Sequence, residues 1–248
     1  DFVFICDNER LIMFGLFFKK PVVEFISTID GLDKLMPIIP AKEHRPQWIY
    51  RALDHFSEMR KSSDYGMSHQ THITRCPGIF ALMREGWILR TWQDVVIDTN
   101  GDGQTFAWHS ATTQVNRGAL DELIGTHHNQ EYIQFLENWD GALNCAIKFN
   151  TGWHVKVPKG YLLLESSVAH SDENRFEVLP GCYSYENGCP GLSPAVKWKV
   201  PEGKTLIKAG TPLAQYILIK KEDMNMQMKS AKEIDEEFKT YSLFREYK

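Results

Sequence analysis

The chain has 248 residues, of which 43% are hydrophobic and 24% are charged, and its formal net charge is −4. These values are those of an ordinary globular protein with enough apolar residues for one substantial core. Lysine and arginine are scattered along a slightly acidic chain, so no field is present to hold a nucleic-acid backbone, and nucleic acid is not an expected partner.

The longest apolar run, residues 11–18, is far shorter than the roughly 20 residues that cross a bilayer, and no membrane span is expected. Acidic residues precede this run instead of the basic region of a signal peptide, and no small-residue cleavage site follows it. We predict a buried strand or hairpin there.

Two helices are predicted in the first half of the chain. Residues 48–59 place Ile49, Leu53 and Phe56 at helical spacing, just after Pro46. A second, short helix can begin at Pro77 and end at Gly86 in a left-handed cap.

The next segments alternate between strand and helix patterns. Residues 87–98 and 104–110 are β-branched and aromatic, and predict two strands joined by a tight turn. Between residues 132 and 139, four apolar side chains at one-face helical spacing predict a short amphipathic helix.

From residue 142 onward the sequence predicts one strand after another, with Pro and Gly in nearly every gap. Trp153, Val155 and Val157 alternate with polar neighbours, which is typical of a sheet with one buried and one exposed face. Residues 230–247 predict a terminal helix. The expected fold is therefore α+β but mostly β: an antiparallel sheet or barrel with an N-terminal helical layer and a C-terminal helix. We expect a single domain, 1–248, with a mixed part (1–140), an all-β part (141–228) and the helix (229–248).

The five cysteines are an odd number and form no C-x-x-C pair, which favours free thiols in a reducing cytoplasm. Cys182 and Cys189 are close enough in sequence for a bridge to remain an alternative.

One loop carries metal-binding residue types. Asp98, Asn100 and Asp102 match the opening of a calcium loop, in which alternate oxygen-bearing side chains converge on the ion. His109 stands where the bidentate glutamate would be needed, and Asn and Asp next to Gly also suit a hairpin turn without an ion. We therefore expect no cofactor, with calcium as the alternative.

The histidines provide the candidate ligand-binding residues. His127, His128 and His154, together with Tyr161, are the side chains that could line a ligand pocket, and neutral imidazoles also bind metals. Adjacent histidines rarely face one site, so surface positions are the competing interpretation for His127 and His128. No catalytic motif, Gly-x-Ser-x-Gly or phosphate loop, is present.

Five short motifs follow one another along the chain: Pro40-Ala-Lys-x-x-x-Pro46-x-Trp48, Ile73-Thr-x-Cys-Pro77 with Gly86-Trp-Ile, His128-x-Gln130, Trp153-x-Val-x-x-Pro-x-Gly-Tyr161 and Gly210-Thr-Pro-Leu-Ala-Gln215. In this order they resemble an uncharacterised family found in tailed bacteriophages and some bacteria. The resemblance implies a phage or microbial setting, with the host-cell cytoplasm as the compartment if the chain is phage-encoded, and it carries no activity with it.

Four pieces follow in order in the C-terminal half: Pro158-Lys-Gly-Tyr161, Glu165-Ser-Ser-Val-Ala169, Leu179-Pro-Gly-Cys-Tyr-Ser184 and Gly210-Thr-Pro-Leu-Ala-Gln215. Their layout is similar to the β-clip fold of dUTPase-like nucleotide pyrophosphatases, and the resemblance implies a β-clip-like barrel as the alternative to an open antiparallel sheet. Glu165 stands where that family has a phosphate-binding arginine, and no Asp lies between Gly181 and Gly191. Because a carboxylate repels a triphosphate, the resemblance implies the fold without the chemistry.

The leading hypothesis is a β-rich, phage-type protein without a complete catalytic constellation. One alternative is an enzyme acting on a nucleotide or other small metabolite, with His154, Tyr161 and nearby tryptophans converging on a pocket. Another is a virion or host-interaction module, and a homo-oligomer is compatible with each.

Overall fold

The computed structural model describes residues 3–7, 10–14, 20–61, 72–110, 123–128, 133–136 and 139–228. Three α-helices lie in the first part of the chain: α1 (Leu32–Leu35), α2 (Gln47–Lys61) and α3 (Pro77–Arg84). Single 3-10 turns cover Ala41–Glu43, Ile73–Arg75, Ile133–Phe135 and Tyr185–Asn187.

Strands make up most of the regular structure in the described residues. They are β1 (Val3–Asp7), β2 (Arg10–Phe14), β3 (Glu24–Ser27), β4 (Ile39–Pro40), β5 (Trp87–Arg90), β6 (Val95–Asn100), β7 (Phe106–Ser110), β8 (Ile124–His128), β9 (Cys145–Phe149), β10 (Trp153–Lys156), β11 (Tyr161–Ser166), β12 (Phe176–Val178), β13 (Gly181–Ser184), β14 (Ala195–Trp198), β15 (Glu202–Ile207) and β16 (Pro212–Lys220).

All the strand pairs are antiparallel, and they form five sheets within the described ranges. The orders are β13-β11-β16-β5-β4, β12-β14-β9-β8, β15-β6-β7, β10-β3 and β1-β2. Four of these sheets combine strands from before and after residue 140, through the pairs β3–β10, β5–β16, β6–β15 and β8–β9. The mostly β, antiparallel prediction is confirmed, and no sheet closes into a barrel among the described residues.

One apolar cluster joins four of the sheets. Its fully buried members include Leu89, Ile97, Ile147, Leu163 and Trp198, each at most 1% exposed. They come from three sheets, through β5, β6, β9, β11 and β14, and Val155 of β10 adds the fourth, so each of the four contributes its inward face to the same core.

Both predicted helices of the first half are confirmed, as α2 and α3. The N-terminus of α2 is held by the loop around residue 172: the Asp172 carboxylate accepts a hydrogen bond from the Gln47 backbone N–H, and Trp48 Nε1 donates to the His170 carbonyl at 2.6 Å. Gly86 follows α3 with φ of 72°, as its predicted cap requires. None of the α2 side chains is fully buried.

Two predictions need correction. Residues 87–98 are not one strand: β5 and β6 belong to different sheets, because the chain bends where Thr91 bonds to the turn at 208–211. The helix predicted for 132–139 is wrong for the residues described there, since only Ile133–Phe135 is helical and Phe135 is 74% exposed. The Trp139 indole instead donates to the Leu143 carbonyl at 2.7 Å, in the turn before β9.

The remaining predictions stand as follows. Residues 11–14 of the buried strand or hairpin predicted at 11–18 lie in β2, which pairs with β1 and places Cys6 opposite Leu11, and residues 15–18 lie outside the described residues. Cys76, Cys145, Cys182 and Cys189 are all free, as expected. The terminal helix predicted for 229–248 lies outside the described residues. No helix in the described part of the chain is both long and apolar enough to cross a membrane.

Candidate functional site

Strand β10 presents His154 on the face opposite the core. Trp153, Val155 and Val157 are 6%, 0% and 3% exposed, so the alternation predicted from the sequence is confirmed. The side chain of His154 therefore lies on the outer face, with Lys156.

The chain beyond β13 returns beside β10 and covers part of that face. Leu192 N–H donates to the Trp153 carbonyl at 2.6 Å and Val155 N–H donates to the Pro190 carbonyl at 3.0 Å. His154 and Gly191 are consequently directly opposite, as an isolated antiparallel bridge. A residue without a side chain at 191 leaves the space over the imidazole open.

The hydrogen bonding of His154 fixes its neutral tautomer. Its Nδ1 lies 3.0 Å from the Cys189 carbonyl oxygen. A carbonyl can only accept, so Nδ1 carries the hydrogen and, in the neutral imidazole, the lone pair is on Nε2. The ring can accept a hydrogen bond or a proton at Nε2.

His154 lines a cavity of about 370 Å³ between β10, the end of β3 and the 191–193 segment. The lining residues are Thr28, Ile29, Trp92, Leu123, Asn150, Thr151, Gly152, Trp153, His154, Gly191, Leu192 and Ser193. We call this space the His154 cavity.

Threonine hydroxyls tie the walls of the His154 cavity together. The buried Thr151 hydroxyl donates to the Leu192 carbonyl at 2.5 Å, and the Thr28 hydroxyl donates to the Gly152 carbonyl at 3.0 Å. Three segments that are distant in sequence are thereby held at fixed spacing, which favours a preformed site.

The chemistry of the His154 cavity is polar but uncharged. Among the described residues its lining contains no Asp, Glu, Lys or Arg, and His154 is the one ionisable side chain that they contribute. A Cβ placed on Gly191 would lie 3.7 Å from His154 Nε2 and 4.0 Å from Ser193 Oγ. An imidazole and a hydroxyl thus flank one small region in which a polar group could bind.

The other candidate ligand residues lie elsewhere. His127 is on β8 opposite Ala146, and His128, on the same strand, is opposite Cys145. Tyr161 begins β11, opposite Lys220, and packs against the core. Neither His127 nor Tyr161 is among the described residues that line the His154 cavity, whereas Trp92 and Trp153 are.

Residues 98–103 cover the end of β6, through Asn100, and the start of the turn that leads to β7. The Asp102 carboxylate accepts hydrogen bonds from the Gln104 and Thr105 N–H groups at 2.7 and 2.9 Å, and from the Thr105 hydroxyl and Asn100 amide. These bonds hold the pKa of Asp102 well below its ordinary value. Asp98 lies 3.7 Å from Lys204 Nζ. Across the described ranges no group of three or more His, Cys, Asp or Glu side chains is placed to hold a metal.

Glu165, which stands at the arginine position of the resemblance, is a core residue. It is 6% exposed and accepts hydrogen bonds from the Tyr216 and Tyr183 hydroxyls at 2.5 and 3.2 Å. Burial raises its pKa, and the tyrosine hydrogen bonds and the Lys148 charge oppose that shift in part. Glu165 therefore points to no ligand in this arrangement.

Sequence reasoning missed most of the cavity lining. Thr28, Thr151, Gly191 and Ser193 lie in short turn segments that look like ordinary loop sequence. The sequence identifies residues 150–152 and 190–191 as turns, but nothing in it places these turns beside His154.

Neither a protein-family profile nor a curated protein matches the sequence. Among solved structures, the chain is similar to dUTPase from phage phi11 of S. aureus, with 14% identity over 61% of this chain and 85% of that one, at a TM-score of 0.32. A phi11 variant described as coordinating a structural Mg(II) ion gives the same values. A variant of the Staphylococcus bacteriophage 80alpha dUTPase gives 13% identity over 63% of this chain and 86% of that one, also at 0.32. At this TM-score, neither an activity nor a bound ion follows for this chain.

Proposed function

We propose that this protein binds a small, neutral, polar molecule in the His154 cavity. The observation that carries the proposal is the hydrogen bond from His154 Nδ1 to the Cys189 carbonyl, which leaves Nε2 as an acceptor in a preformed cavity. A ligand hydroxyl or N–H group would donate to Nε2.

Size and charge define the ligand class. A volume of about 370 Å³ lies at the lower end of the roughly 300–1,000 Å³ range of ligand pockets. The described lining residues include no lysine or arginine to neutralise a phosphate, and Trp92, Leu123 and Leu192 supply apolar surface. These features favour a neutral ring with polar substituents over a nucleotide.

The same lining favours binding over catalysis. General acid–base chemistry commonly pairs two ionisable groups with separate roles. The His154 cavity has one, and no carboxylate among its lining residues orients it. The chain is therefore proposed as a binding protein.

The test is a thermal-shift screen of monosaccharides, nucleobases and small amides, with nucleotides as charged comparators, followed by calorimetry of each hit. Gly191→Ala places a methyl group in van der Waals contact with the imidazole, and the φ of Gly191 is not positive, so the backbone tolerates the change. Gly181→Ala, with no atom within 4 Å, is the matched control.

Neutral hits should lose affinity in Gly191→Ala and in His154→Ala but not in Gly181→Ala. Long-range ¹H–¹⁵N spectra of the imidazole should show the Nδ1–H tautomer in the neutral form. Hits that bind Gly191→Ala as tightly as the unmodified protein, or a screen with only nucleotide hits, would contradict the proposal.

A second candidate function is self-association through residues 221–228. Met224, Met226 and Met228 alternate along this segment and are 81%, 83% and 83% exposed. Exposed apolar side chains at this density are typical of contact surfaces, and methionine adapts to varied partners. Light scattering should give a mass above the monomer, lowered by changing all three to serine but not by Leu35→Ser. A monomeric unmodified protein would rule this out.

We also infer a phage-type setting, supported by the order of the five short motifs between residues 40 and 215. Genes that encode the same motif order should lie beside phage structural or replication genes. Finding them only in bacterial operons without phage genes would contradict this.

A further inference from the structure

A second cavity, of about 450 Å³, lies between the Ala41–Glu43 turn, α2 and α3. Three cations line it, Lys42, Arg45 and Arg84. We call it the cationic cleft. It shares no lining residue with the His154 cavity.

The cations of the cationic cleft have no ion-pair partner among the described residues. No Asp or Glu is among its lining residues, and none of its three cations forms an ion pair with a described residue. Burial, assisted by Arg90 and opposed by Asp172, lowers the pKa of His44, which also lines the cleft. The field there comes from the lysine and the two arginines.

A neighbouring cavity of about 420 Å³ shows the contrast. It also contains arginines, Arg45 and Arg175, but Glu173 forms an ion pair with Arg175 at its edge. Asp172 lines it too, and accepts a hydrogen bond from Gln47 N–H. In that cavity a bound anion would compete with the carboxylates of Asp172 and Glu173 for the arginines. No carboxylate is among the described residues that line the cationic cleft.

The floor of the cationic cleft is apolar. Met83 is 6% exposed, whereas Leu53 and Tyr50 on α2 remain 48% and 46% exposed. The apolar side of α2 is thus only partly covered, directly beside the unpaired cations. A ligand with an apolar ring and an anionic group would satisfy both surfaces.

We propose that the cationic cleft is a binding site for a small anion that carries an apolar ring, such as an aromatic phosphate monoester or carboxylate. Arg45 and Arg84 bind the anionic group, in the forked geometry that arginine offers to oxyanions. Leu53 and Phe80 contact the ring.

The test is calorimetry with four probes: phenyl phosphate, benzoate, inorganic phosphate and phenol. The unmodified protein should bind phenyl phosphate or benzoate more tightly than it binds either inorganic phosphate or phenol, and the affinity should fall as salt is added. The tighter of the two ring-bearing anions identifies the anionic group.

Variants separate the two halves of the cationic cleft. Arg84→Gln should weaken phenyl phosphate about tenfold, the loss expected for one charge-assisted hydrogen bond. Leu53→Ala should weaken phenyl phosphate and leave inorganic phosphate unchanged. Arg60→Gln, at an exposed α2 position outside the cleft, should change neither. Arg45→Gln repeats the test if Arg84→Gln does not fold.

The proposal is overturned if phenyl phosphate and benzoate bind no better than inorganic phosphate, or if Arg84→Gln and Arg60→Gln behave alike. Because Gly191→Ala alters only the other cavity, it should leave phenyl phosphate binding unchanged, so this site and the His154 cavity can fail independently.

Discussion

Replacement of Gly86 by alanine tests how closely α3 and the five-stranded sheet approach each other. Gly86 connects α3 to β5 with φ of 72°, and a Cβ there would lie 1.8 Å from the Tyr216 carbonyl oxygen on β16. An alanine in the left-handed region costs roughly 1–2 kcal/mol. Moving the backbone far enough to relieve the overlap between the added Cβ and the Tyr216 carbonyl costs about as much as overpacking a core, roughly 1–3 kcal/mol.

We therefore expect Gly86→Ala to lower the free energy of unfolding by about 2–5 kcal/mol, a large part of the ~5–15 kcal/mol typical of a domain. Gly78→Ala is the control: Gly78 lies within α3 with no atom within 4 Å of its added Cβ, and alanine there should stabilise by roughly 0.5–1 kcal/mol. Urea unfolding measures the free-energy change of both variants, provided that their m-values equal that of the unmodified protein. A Gly86→Ala loss below about 1 kcal/mol would show that β16 does not lie against the α3–β5 junction.

Three further predictions concern the core and the turns. Leu163→Ala, at a fully buried β11 position, should cost about 2–5 kcal/mol in urea unfolding, and a cost near zero would contradict the shared core. Because the folded-state pKa of Glu165 is raised above its ordinary value of 4.5, its contribution to stability is complete below that value and is lost as the pH rises through the folded pKa. Glu165→Gln has no carboxyl to ionise and should remove that loss. The free energy of unfolding of the variant should therefore rise relative to that of the unmodified protein between pH 4 and pH 7. Parallel pH profiles of the two proteins would refute a buried carboxyl. Asp102→Ala removes four hydrogen bonds that the carboxylate accepts in the β6–β7 turn, and should lower the melting temperature at pH 7. The difference in melting temperature between variant and unmodified protein should be smaller at pH 2, because a carboxyl with a depressed pKa loses its contribution to stability as the pH falls towards that pKa. An equal difference at both pH values would argue against these bonds.

Local pattern predicted the strands far better than their partners. The alternation of Trp153, Val155 and Val157 identifies β10 and its buried face, because a half-exposed strand has a period of two. Nothing local indicates that β10 pairs with β3 from the start of the chain and with the 190–192 segment. Partner choice depends on how the inward faces share one core, and this is a property of the assembled fold.

The candidate site shows the same division. Residue type alone makes His154 a candidate ligand-binding residue, and it does line a cavity. His127 and Tyr161 are candidates on the same ground, but they lie in other sheets. The 132–139 helix failed because apolar spacing on a helical period also fits a loop whose side chains, such as Trp139, bond locally. Glu165 looked like a defective phosphate site, yet its two tyrosine partners come from β13 and β16, which sequence spacing does not reveal.

The position of β16 at the centre of the five-stranded sheet has a consequence for synthesis on the ribosome. Strand β5 is translated long before β16, its neighbour, and at ordinary elongation rates the interval is roughly ten seconds. During that time the backbone edge of β5 that pairs with β16 has no partner, and Ile88 and Leu89, buried in the folded protein, lie on that unpaired strand. Nascent chains of this protein should therefore recruit holding chaperones after β5 emerges and release them once β16 has been made.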